Sequence, residues 1–352
     1  MNRKIVILIP SLDNSGPARG ALAIAEIISK KYETIIVTQK NSKNSVSPIY
    51  SDNFKVKNFN SGFKEFRKIR KYLKKELSEK DALISMCLSS DLINAMIKGN
   101  WIRISYIRGD LISNYRTDYG LIGIPLAIMH YFITSFFSKV FSLSEKMKKD
   151  IEKYSLSRAL VIENIIEEKK LEPYRSYNLD KNKTLNFIFL GNLNNRKKPL
   201  EAIEAFCKYH MNHKSSVLHI VGDGPLKVEC ESLIQDLNMS EYIYMHGHLT
   251  DPYKILSSSE ILIHTSLAEG VSRSVMESLF LGLIVVGRDI DEHKKLLVDN
   301  NSVKFLDTKN IVSALNKASE IVRNSNGSLK KNLLPSLYCN EEVSKKILKS
   351  IF

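Results

Sequence analysis

One stretch, residues 261–287, most constrains what this chain can fold into. It starts with the apolar run Ile261–Ile263, continues through a polar loop and returns to the β-branched run Ile284–Val286. Between the two runs, Ser274–Glu277 has the spacing of a helix capping box, and Gly282 can end a helix. The pattern predicts strand, loop, helix and strand in succession, the repeating unit of a parallel α/β sheet.

Two carboxylates of this stretch, Glu269 and Glu277, are separated by seven residues. Glu269 is predicted in the loop and Glu277 in the first helical turn, so both belong at the sheet edge where α/β proteins bind ligands. Carboxylates accept hydrogen bonds from sugar hydroxyls, and the amides of a helix N-terminus attract phosphate. Gly270 lets a ligand approach the backbone. The spacing alone favours a surface acid followed by an ordinary capping acid.

Length and charge narrow the class of protein. A chain of 352 residues predicts two domains. Its net charge of +14 attracts nucleic acid, anionic membrane or phosphorylated substrates. No nucleic-acid motif accompanies this charge, so nucleic acid is not an expected partner. The scattered cysteines predict reduced thiols, and the early first apolar run argues against a signal peptide, so a cytoplasmic protein is expected.

The first half shows the same alternation from its start. The apolar run Lys4–Pro10 leads into a loop with Gly16 and Arg19, then a helix and a second strand. The loop lacks the spaced glycines of a dinucleotide site, so no nicotinamide or flavin is expected. Arg19 could reach phosphate or an acceptor, or be a surface residue at a helix start. Arg108 and Asp110 follow a later strand and are the polar residues after it that could belong to a binding site.

The second half starts after a polar segment, residues 167–183, that predicts a linker between domains 1–166 and 184–330. Cations cluster just before a predicted helix, at Arg196, Lys197 and Lys198. Positive charge at a helix start opposes the helix dipole unless an anion lies nearby, and paired cations suit a diphosphate. A second turn, Gly222-Asp-Gly-Pro225, follows the next strand, and turn chemistry alone could explain it.

Together these motifs resemble family 4 retaining glycosyltransferases of the GT-B architecture, whose signature is two glutamates separated by seven residues. The resemblance covers most of the chain and is strongest over residues 186–287. It implies two Rossmann-like α/β domains facing each other across a cleft, the first for the acceptor and the second for a nucleotide-diphosphate sugar. It implies no metal and no other cofactor. The last segment, 331–352, is expected to return as a helix to the first domain.

The resemblance also implies roles for individual residues. Lys197 aligns with a diphosphate-binding lysine, and Asn192 stands where the family has arginine, which leaves Arg196 or Lys198 as the second cation. Glu277 would hold the ribose hydroxyls. The implied catalytic residues are Glu269, Lys197 and Arg196. The implied donor-binding residues are Gly16, Asn192, Lys197, Gly222, Gly224, Glu269, Gly270, Val271, Ser272 and Glu277. The acceptor-side candidates are Arg19, Arg108 and Asp110.

Two segments of the first half suggest a membrane surface. A helix is predicted over 62–80, and the part between Lys64 and Lys80 contains eight basic and three acidic residues. Residues 120–138 carry no acid, Lys or Arg and are nearly long enough to span a bilayer. Pro125 and His130 interrupt the run, which favours a buried or membrane-grazing helix. We therefore expect a peripheral protein at the inner face of an anionic membrane, acting on a glycan or lipid-linked acceptor in surface polysaccharide assembly.

Two alternatives remain open at this stage. One is a sugar-nucleotide epimerase of the same GT-B shape, against which the two spaced glutamates argue. The other is a non-catalytic, basic membrane-binding protein with a degenerate site, which the presence of Glu269, Glu277 and Lys197 disfavours.

Overall fold

The computed structural model describes residues 3–13, 16–41, 53–60, 65–175, 184–325 and 331–352. The contacts divide the chain into two compact units. One comprises Met1–Ile166 with Leu337–Phe352, and the other comprises Glu167–Ser336. Residues 167–175 of the predicted linker thus belong to the second unit, where they form a short helix and a 3-10 turn. Residues 176–183 of that linker lie outside the described part.

The first unit is a parallel sheet with helices. Its described strands are β1 (Lys4–Ile9), β2 (Glu33–Thr38), β3 (Lys55–Asn58), β4 (Ala82–Ser85), β5 (Ile102–Ile107), β6 (Lys139–Ser142) and β7 (Ala159–Val161). They pair in parallel in the order β3-β2-β1-β4-β5-β6-β7. Its first helices are α1 (Gly16–Ser29), α2 (Phe66–Glu76), α3 (Leu88–Met96), α4 (Leu111–Tyr119), α5 (Gly123–Ile133) and α6 (Glu145–Tyr154). The central apolar strands β1, β2 and β4 are buried on both faces, as a parallel sheet requires, whereas the edge strand β3 is largely exposed.

The basic helix α2 packs on this sheet through a narrow apolar stripe. Ile69 and Leu73 are buried in one core cluster with Val6 and Leu83 of the strands. The basic side chains of the helix are exposed, namely Arg67, Lys68, Arg70, Lys71, Lys74 and Lys75. The helix is shorter than the predicted span 62–80, of which residues 62–64 lie outside the described part.

The uncharged run over 120–138 contains α5 between two 3-10 turns, Gly120–Ile122 and Thr134–Phe136, and it folds back on α4. The chain reverses at Gly120, whose φ of 63° is a left-handed value that glycine accommodates. A Cβ on Gly123 would lie 1.9 Å from the carbonyl oxygen of Tyr115, and the Tyr115 hydroxyl lies 3.0 Å from Nδ1 of His130. Residues 15 apart in a continuous helix would be about 22 Å apart along its axis. We call residues 111–136 the α4–α5 hairpin.

By length and composition, one helical stretch of the described chain could cross a membrane. It spans Leu111–Phe136, 26 residues that include an 18-residue window with a mean hydropathy of 1.4, and coincides with the hairpin. After the reversal at Gly120, α5 has only 11 residues, about 16 Å against a hydrocarbon core of about 30 Å. Pro125 lies in the first turn of α5, where proline leaves no helical hydrogen bond unmade, so it does not interrupt the helix.

The last helix of the chain, α13 (Asn340–Ser350), packs within the first unit. Lys346 forms an ion pair with Glu163 at 2.8 Å, and the Lys139 ammonium donates to the carbonyl of Ser350 at 2.9 Å. At the start of the helix, the Asn340 amide donates to the carbonyl of Ile166 at 2.7 Å.

The second unit is also a parallel sheet with helices. Its described strands are β8 (Leu185–Leu190), β9 (Ser216–Val221), β10 (Ile243–Gly247), β11 (Ile261–His264), β12 (Ile284–Arg288) and β13 (Ser302–Phe305). They pair in parallel in the order β10-β9-β8-β11-β12-β13. Its helices are α7 (Glu168–Leu171), α8 (Pro199–Asn212), α9 (Lys227–Asp236), α10 (Tyr253–Ser258), α11 (Arg273–Phe280) and α12 (Ile311–Asn324). Two parallel α/β sheets confirm the predicted fold class.

The predicted capping box of α11 is wrong in detail. The helix begins at Arg273, with Ser272 rather than Ser274 as the N-cap residue. The Ser272 hydroxyl contacts the Ser274 hydroxyl at 3.0 Å and makes no capping hydrogen bond. Glu277 consequently lies in the second turn, not the first.

Candidate functional site

The strand order of the second sheet reverses between β8 and β11, which is where open α/β sheets bind ligands. The loops that leave these two strands are bonded to each other. The Thr265 hydroxyl donates to the carbonyl oxygens of Lys197 at 2.7 Å and Lys198 at 2.9 Å, and the Leu267 amide donates to the Arg196 carbonyl at 2.9 Å. The bonds bring the basic loop and the acidic loop to one place.

Lys197, Arg196 and Glu269 form a compact charge cluster there. The Lys197 ammonium is paired with Oε1 of Glu269, and Nη1 of Arg196 lies 3.3 Å from Oε2. Arg196 also donates to the carbonyl of Ala268 at 2.7 Å. Burial by itself raises the pKa of a carboxyl group, but Lys197, with His264 and Arg196, outweighs burial. The pKa of Glu269 is therefore held well below its ordinary value.

Of the two cations considered for the second positive charge, Arg196 stands in this cluster. Lys198 has a left-handed backbone, with φ of 53°, and serves as the residue before α8, which opens on Pro199. The cations at this helix start oppose its dipole, and Glu269 is the anion beside them.

Two buried histidines lie behind Glu269, and sequence reasoning assigned neither of them to the site. His264 ends β11, with Nε2 3.7 Å from Oε1 of Glu269, and its ring centroid is 5.2 Å from that of His293. The backbone amide of Ser272 donates to Nε2 of His293 at 3.3 Å. Burial lowers the pKa of His264, and burial with His264 beside it lowers the pKa of His293 to about 3. Their one sequence signal is that each follows the carboxyl end of a predicted strand.

The Gly222-Asp-Gly-Pro225 turn packs against the loop after β8. A Cβ on Gly222 would lie 1.8 Å from the Gly191 carbonyl oxygen, and one on Gly224 would lie 2.3 Å from the Asn192 side-chain oxygen. Both glycines have a positive φ, 154° and 157°. The Leu193 amide also donates to the carbonyl of Asp223 at 2.9 Å. Packing as well as turn geometry therefore requires glycine here.

The second acid, Glu277, lies on α11 and is only 2% exposed. Nη2 of Arg273, one turn earlier, lies 3.4 Å from its Oε1 and 3.8 Å from Oε2 of Glu167. The loop residues that follow Glu269 are also buried, namely Gly270, Val271 and Ser272, and so is Ala268 just before it.

The acceptor-side candidates belong to the first unit. Asp110 caps α4 by accepting from the Ser113 amide at 3.1 Å, and it pairs with Lys146 at 2.5 Å, so its oxygens are engaged in structure. Arg108 donates to the Asn164 side chain at 2.6 Å. Its guanidinium fills the place of a Cβ on Gly20, which explains that glycine.

The remaining candidates are more exposed. Gly16 opens α1 in open space, so no packing in the described residues requires a glycine there, while Arg19 on the same helix is half-buried. Asn192 is exposed beside Gly224. Within the described ranges, no group of three or more His, Cys, Asp or Glu side chains could hold a metal ion.

Comparison with known proteins agrees with this architecture. Residues 172–333 match the family model described as Glycosyl transferases group 1. A crystal structure of Anabaena HepE in complex with UDP and glucose has a TM-score of 0.79 at 14% identity, over 99% of each chain. The lipopolysaccharide outer core galactosyltransferase WaaB has a TM-score of 0.71 at 15% identity, again over 99% of each chain. The fold is thus that of GT-B glycosyltransferases.

Curated sequences point to the same family. An uncharacterized glycosyltransferase of Methanocaldococcus jannaschii is 27% identical over 209 residues, 56% of this chain and 51% of that one. A Campylobacter jejuni N-acetylgalactosaminyltransferase named for a diphospho-undecaprenol acceptor is 33% identical over 102 residues, 29% of this chain and 27% of that one. These matches show similarity to group 1 glycosyltransferases over part of the chain, which matches about half the length of the first of these relatives.

Proposed function

We propose that the protein is a retaining glycosyltransferase of family 4 that transfers a sugar from a nucleotide-diphosphate donor to a glycan or lipid-linked acceptor. The observation that carries this proposal is the Lys197–Arg196–Glu269 cluster at the switch point of the second sheet. It lies inside the region that matches the group 1 glycosyltransferase family. The spacing of Glu269 and Glu277 fits the signature of family 4.

The cluster suggests how the donor binds. The donor diphosphate is a stronger anion than one carboxylate, so Lys197 and Arg196 exchange Glu269 for the phosphates when the donor arrives. Glu269 is then free to accept hydrogen bonds from the sugar hydroxyls, and Glu277 accepts from the ribose. Because Gly222 and Gly224 carry no side chain, the donor can approach the backbone of their turn. The backbone of Gly270, Val271 and Ser272 leads to the N-terminus of α11.

The same groups account for catalysis. Negative charge develops on the departing diphosphate, and two fixed cations in a largely buried site stabilise it without reorganisation. These side chains neutralise the leaving group by themselves, so the proposed mechanism requires no metal. The product is a glycoside together with the free nucleoside diphosphate.

Lipid-linked acceptors are proposed from the relatives. The Campylobacter protein is named for a diphospho-undecaprenol acceptor, and so is an Escherichia coli α-1,3-galactosyltransferase that is 28% identical over 141 residues. For this chain we propose the same class of acceptor. Arg19 and Arg108 of the first unit remain candidates for its recognition, whereas Asp110 is engaged in capping α4.

A membrane surface is proposed as the place of action, at the inner face of an anionic bilayer. The α4–α5 hairpin exposes large apolar side chains on its outer side: Tyr119 58%, Leu121 76%, Ile122 78%, Phe132 52% and Phe136 53%. Exposed apolar patches of this kind mark interaction sites in soluble proteins. The exposed basic face of α2 supplies attraction to anionic lipid, and apolar insertion with charge attraction is the pair of signals that stable docking needs.

The direct test is a panel of nucleotide-diphosphate sugars, read first by thermal shift and then by mass analysis of the products. A donor at about 100 times its dissociation constant should stabilise the protein by ~2.7 kcal/mol. The expected products are the nucleoside diphosphate and a glycosylated acceptor, or free sugar when water is the acceptor. A new nucleotide sugar without cleavage would instead establish an epimerase. Absence of both binding and cleavage would leave the non-catalytic alternative.

A further inference from the structure

Arg273 stands where ordinary helix energetics disfavour it. It is the first residue of α11, and a cation there opposes the helix dipole. It precedes Glu277 by four residues, and a basic residue before an acidic one is the weaker order for a helical ion pair. The side chain is nonetheless nine-tenths buried, with 9% exposed. Helix stability alone therefore does not explain this arginine.

The contacts of the guanidinium connect two acids. Nη2 lies 3.4 Å from Oε1 of Glu277 and 3.8 Å from Oε2 of Glu167, and both carboxylates are largely buried. Nε and Nη1 of Arg273 are buried as well and have no hydrogen-bond partner among the described residues. Buried donors without partners are costly, so such groups in a native structure call for a physical explanation, and a role in binding or catalysis is one.

We propose that Arg273, anchored by Glu167, is a positioning residue that holds the carboxylate of Glu277 for the ribose hydroxyls of the donor. The inference rests on the proposed function, because it deepens the role of Glu277 in donor binding. It assigns to Arg273 the recognition of a ribonucleoside diphosphate over its deoxy counterpart. Without the guanidinium, Glu277 loses a partner that holds its carboxylate in position. The protein then no longer distinguishes a ribose with both hydroxyls from a deoxyribose.

Affinity for matched nucleotides tests this directly. The probes are UDP, GDP, ADP and CDP, each with its 2′-deoxy and 3′-deoxy counterparts, titrated calorimetrically into the full chain. A hydrogen bond to a charged group contributes about 1.5–3 kcal/mol, so the wild-type protein should favour the ribonucleotide by roughly ten-fold or more. In Arg273→Met and in Glu277→Gln this preference should fall to roughly two-fold or less. Arg273→Lys, which keeps a cation, should restore part of it.

The controls separate recognition from folding. Lys294→Met removes an exposed cation that is paired with Asp291 in the same unit, and it should leave the preference unchanged. The double variant Arg273→Met/Glu277→Gln should show no further loss, because both substitutions remove one interaction. A ribonucleotide preference that survives in full in Arg273→Met, even with weaker binding of all nucleotides, would overturn the inference and leave the proposed function standing. If the wild-type protein binds none of the nucleotides, the proposed function itself fails.

Discussion

At the scale of single residues, the site depends on which charges share one buried carboxylate. Glu269 is partnered by Lys197 and Arg196, and its pKa is held well below its ordinary value despite burial. The same cations are proposed to bind the donor diphosphate. Removing one of them affects both partners, because the carboxylate loses its counter-charge and the leaving group loses its stabilisation.

Lys197→Ala should reduce turnover by on the order of 100-fold or more, the usual loss when one group that stabilises transition-state charge is removed. Initial rates of donor cleavage at saturating donor give the measurement. Lys208→Ala, which removes an exposed lysine from α8 of the same unit, serves as the matched control and should leave turnover unchanged. Turnover near the wild-type value in folded Lys197→Ala would exclude the proposed role in diphosphate binding.

A second residue-scale prediction concerns His293. Its pKa falls from an ordinary value of 6.5 to about 3 on folding. The unfolded chain binds the proton more readily, so this histidine contributes stability that is fully present above pH 6.5 and is lost as the pH falls toward about 3. The slope is at most ~1.4 kcal/mol per pH unit for one group.

Chemical denaturation between pH 7 and pH 4 measures this slope. His293→Gln, which keeps an acceptor for the Ser272 amide, should flatten the dependence, while His248→Gln at an exposed position should not. His264, Glu269 and Lys197 face the same ring and contribute their own dependence, so the difference between the two variants is the informative quantity. Identical slopes in both variants would contradict the assignment.

At the scale of elements, the turns that leave β8 and β9 pack directly against each other. Gly222 touches the Gly191 carbonyl so closely that a Cβ has no room, and its backbone has a positive φ. By contrast, Gly16 at the start of α1 has open space around it. The two glycines look alike in the sequence, and the structure separates them by their packing.

Gly222→Ala should destabilise the protein by about 1–3 kcal/mol or more, because the added methyl forces the two loops apart and the backbone into a strained conformation. Gly16→Ala should be neutral in stability or slightly stabilising, since alanine is the better helix residue. Equilibrium unfolding in urea compares the two. A loss of stability in Gly16→Ala as large as that in Gly222→Ala would count against the packing argument. A loss of donor turnover in Gly16→Ala without a loss of stability would support its proposed place at the donor.

At the scale of the whole molecule, the net charge of +14 and the apolar hairpin act on the same proposed partner. Charge attracts the protein to an anionic surface over a distance that salt controls, and apolar side chains then hold it there. Neither feature by itself distinguishes a docking surface from an ordinary solvated face. The exposed basic face of α2 and the hairpin both belong to the first unit, and together they are why we propose a membrane as the partner.

Co-sedimentation with vesicles tests this combination. The wild-type protein should bind anionic vesicles at low salt and weaken as the Debye length falls to ~3 Å at about 1 M salt. Ile122→Glu on the hairpin should reduce binding by roughly ten-fold or more, since it replaces an inserted side chain with a repelled charge. Leu156→Glu, at an apolar residue that is 89% exposed outside the hairpin, is the matched control. Equal binding by both variants would exclude the hairpin as the docking surface.

The sequence by itself determined the local features of this protein. Alternating apolar runs and glycine turns specify parallel α/β sheets because strand period, helix period and turn chemistry are properties of neighbouring residues. The basic loop at Lys197 and the acid at Glu269 could be predicted as site residues for the same reason. The family resemblance then implied that they act together, and the fold class it implied is the one observed.

Only the tertiary structure decided which of these features meet. Strand order places β8 beside β11, and so brings Lys197 to Glu269 across 72 residues, together with the buried His264 and His293. It also folded the uncharged run back on α4, because the reversal depends on Gly123 packing against Tyr115. Contacts between distant residues depend on the order of strands and the approach of helices, and no local period in a single sequence encodes them.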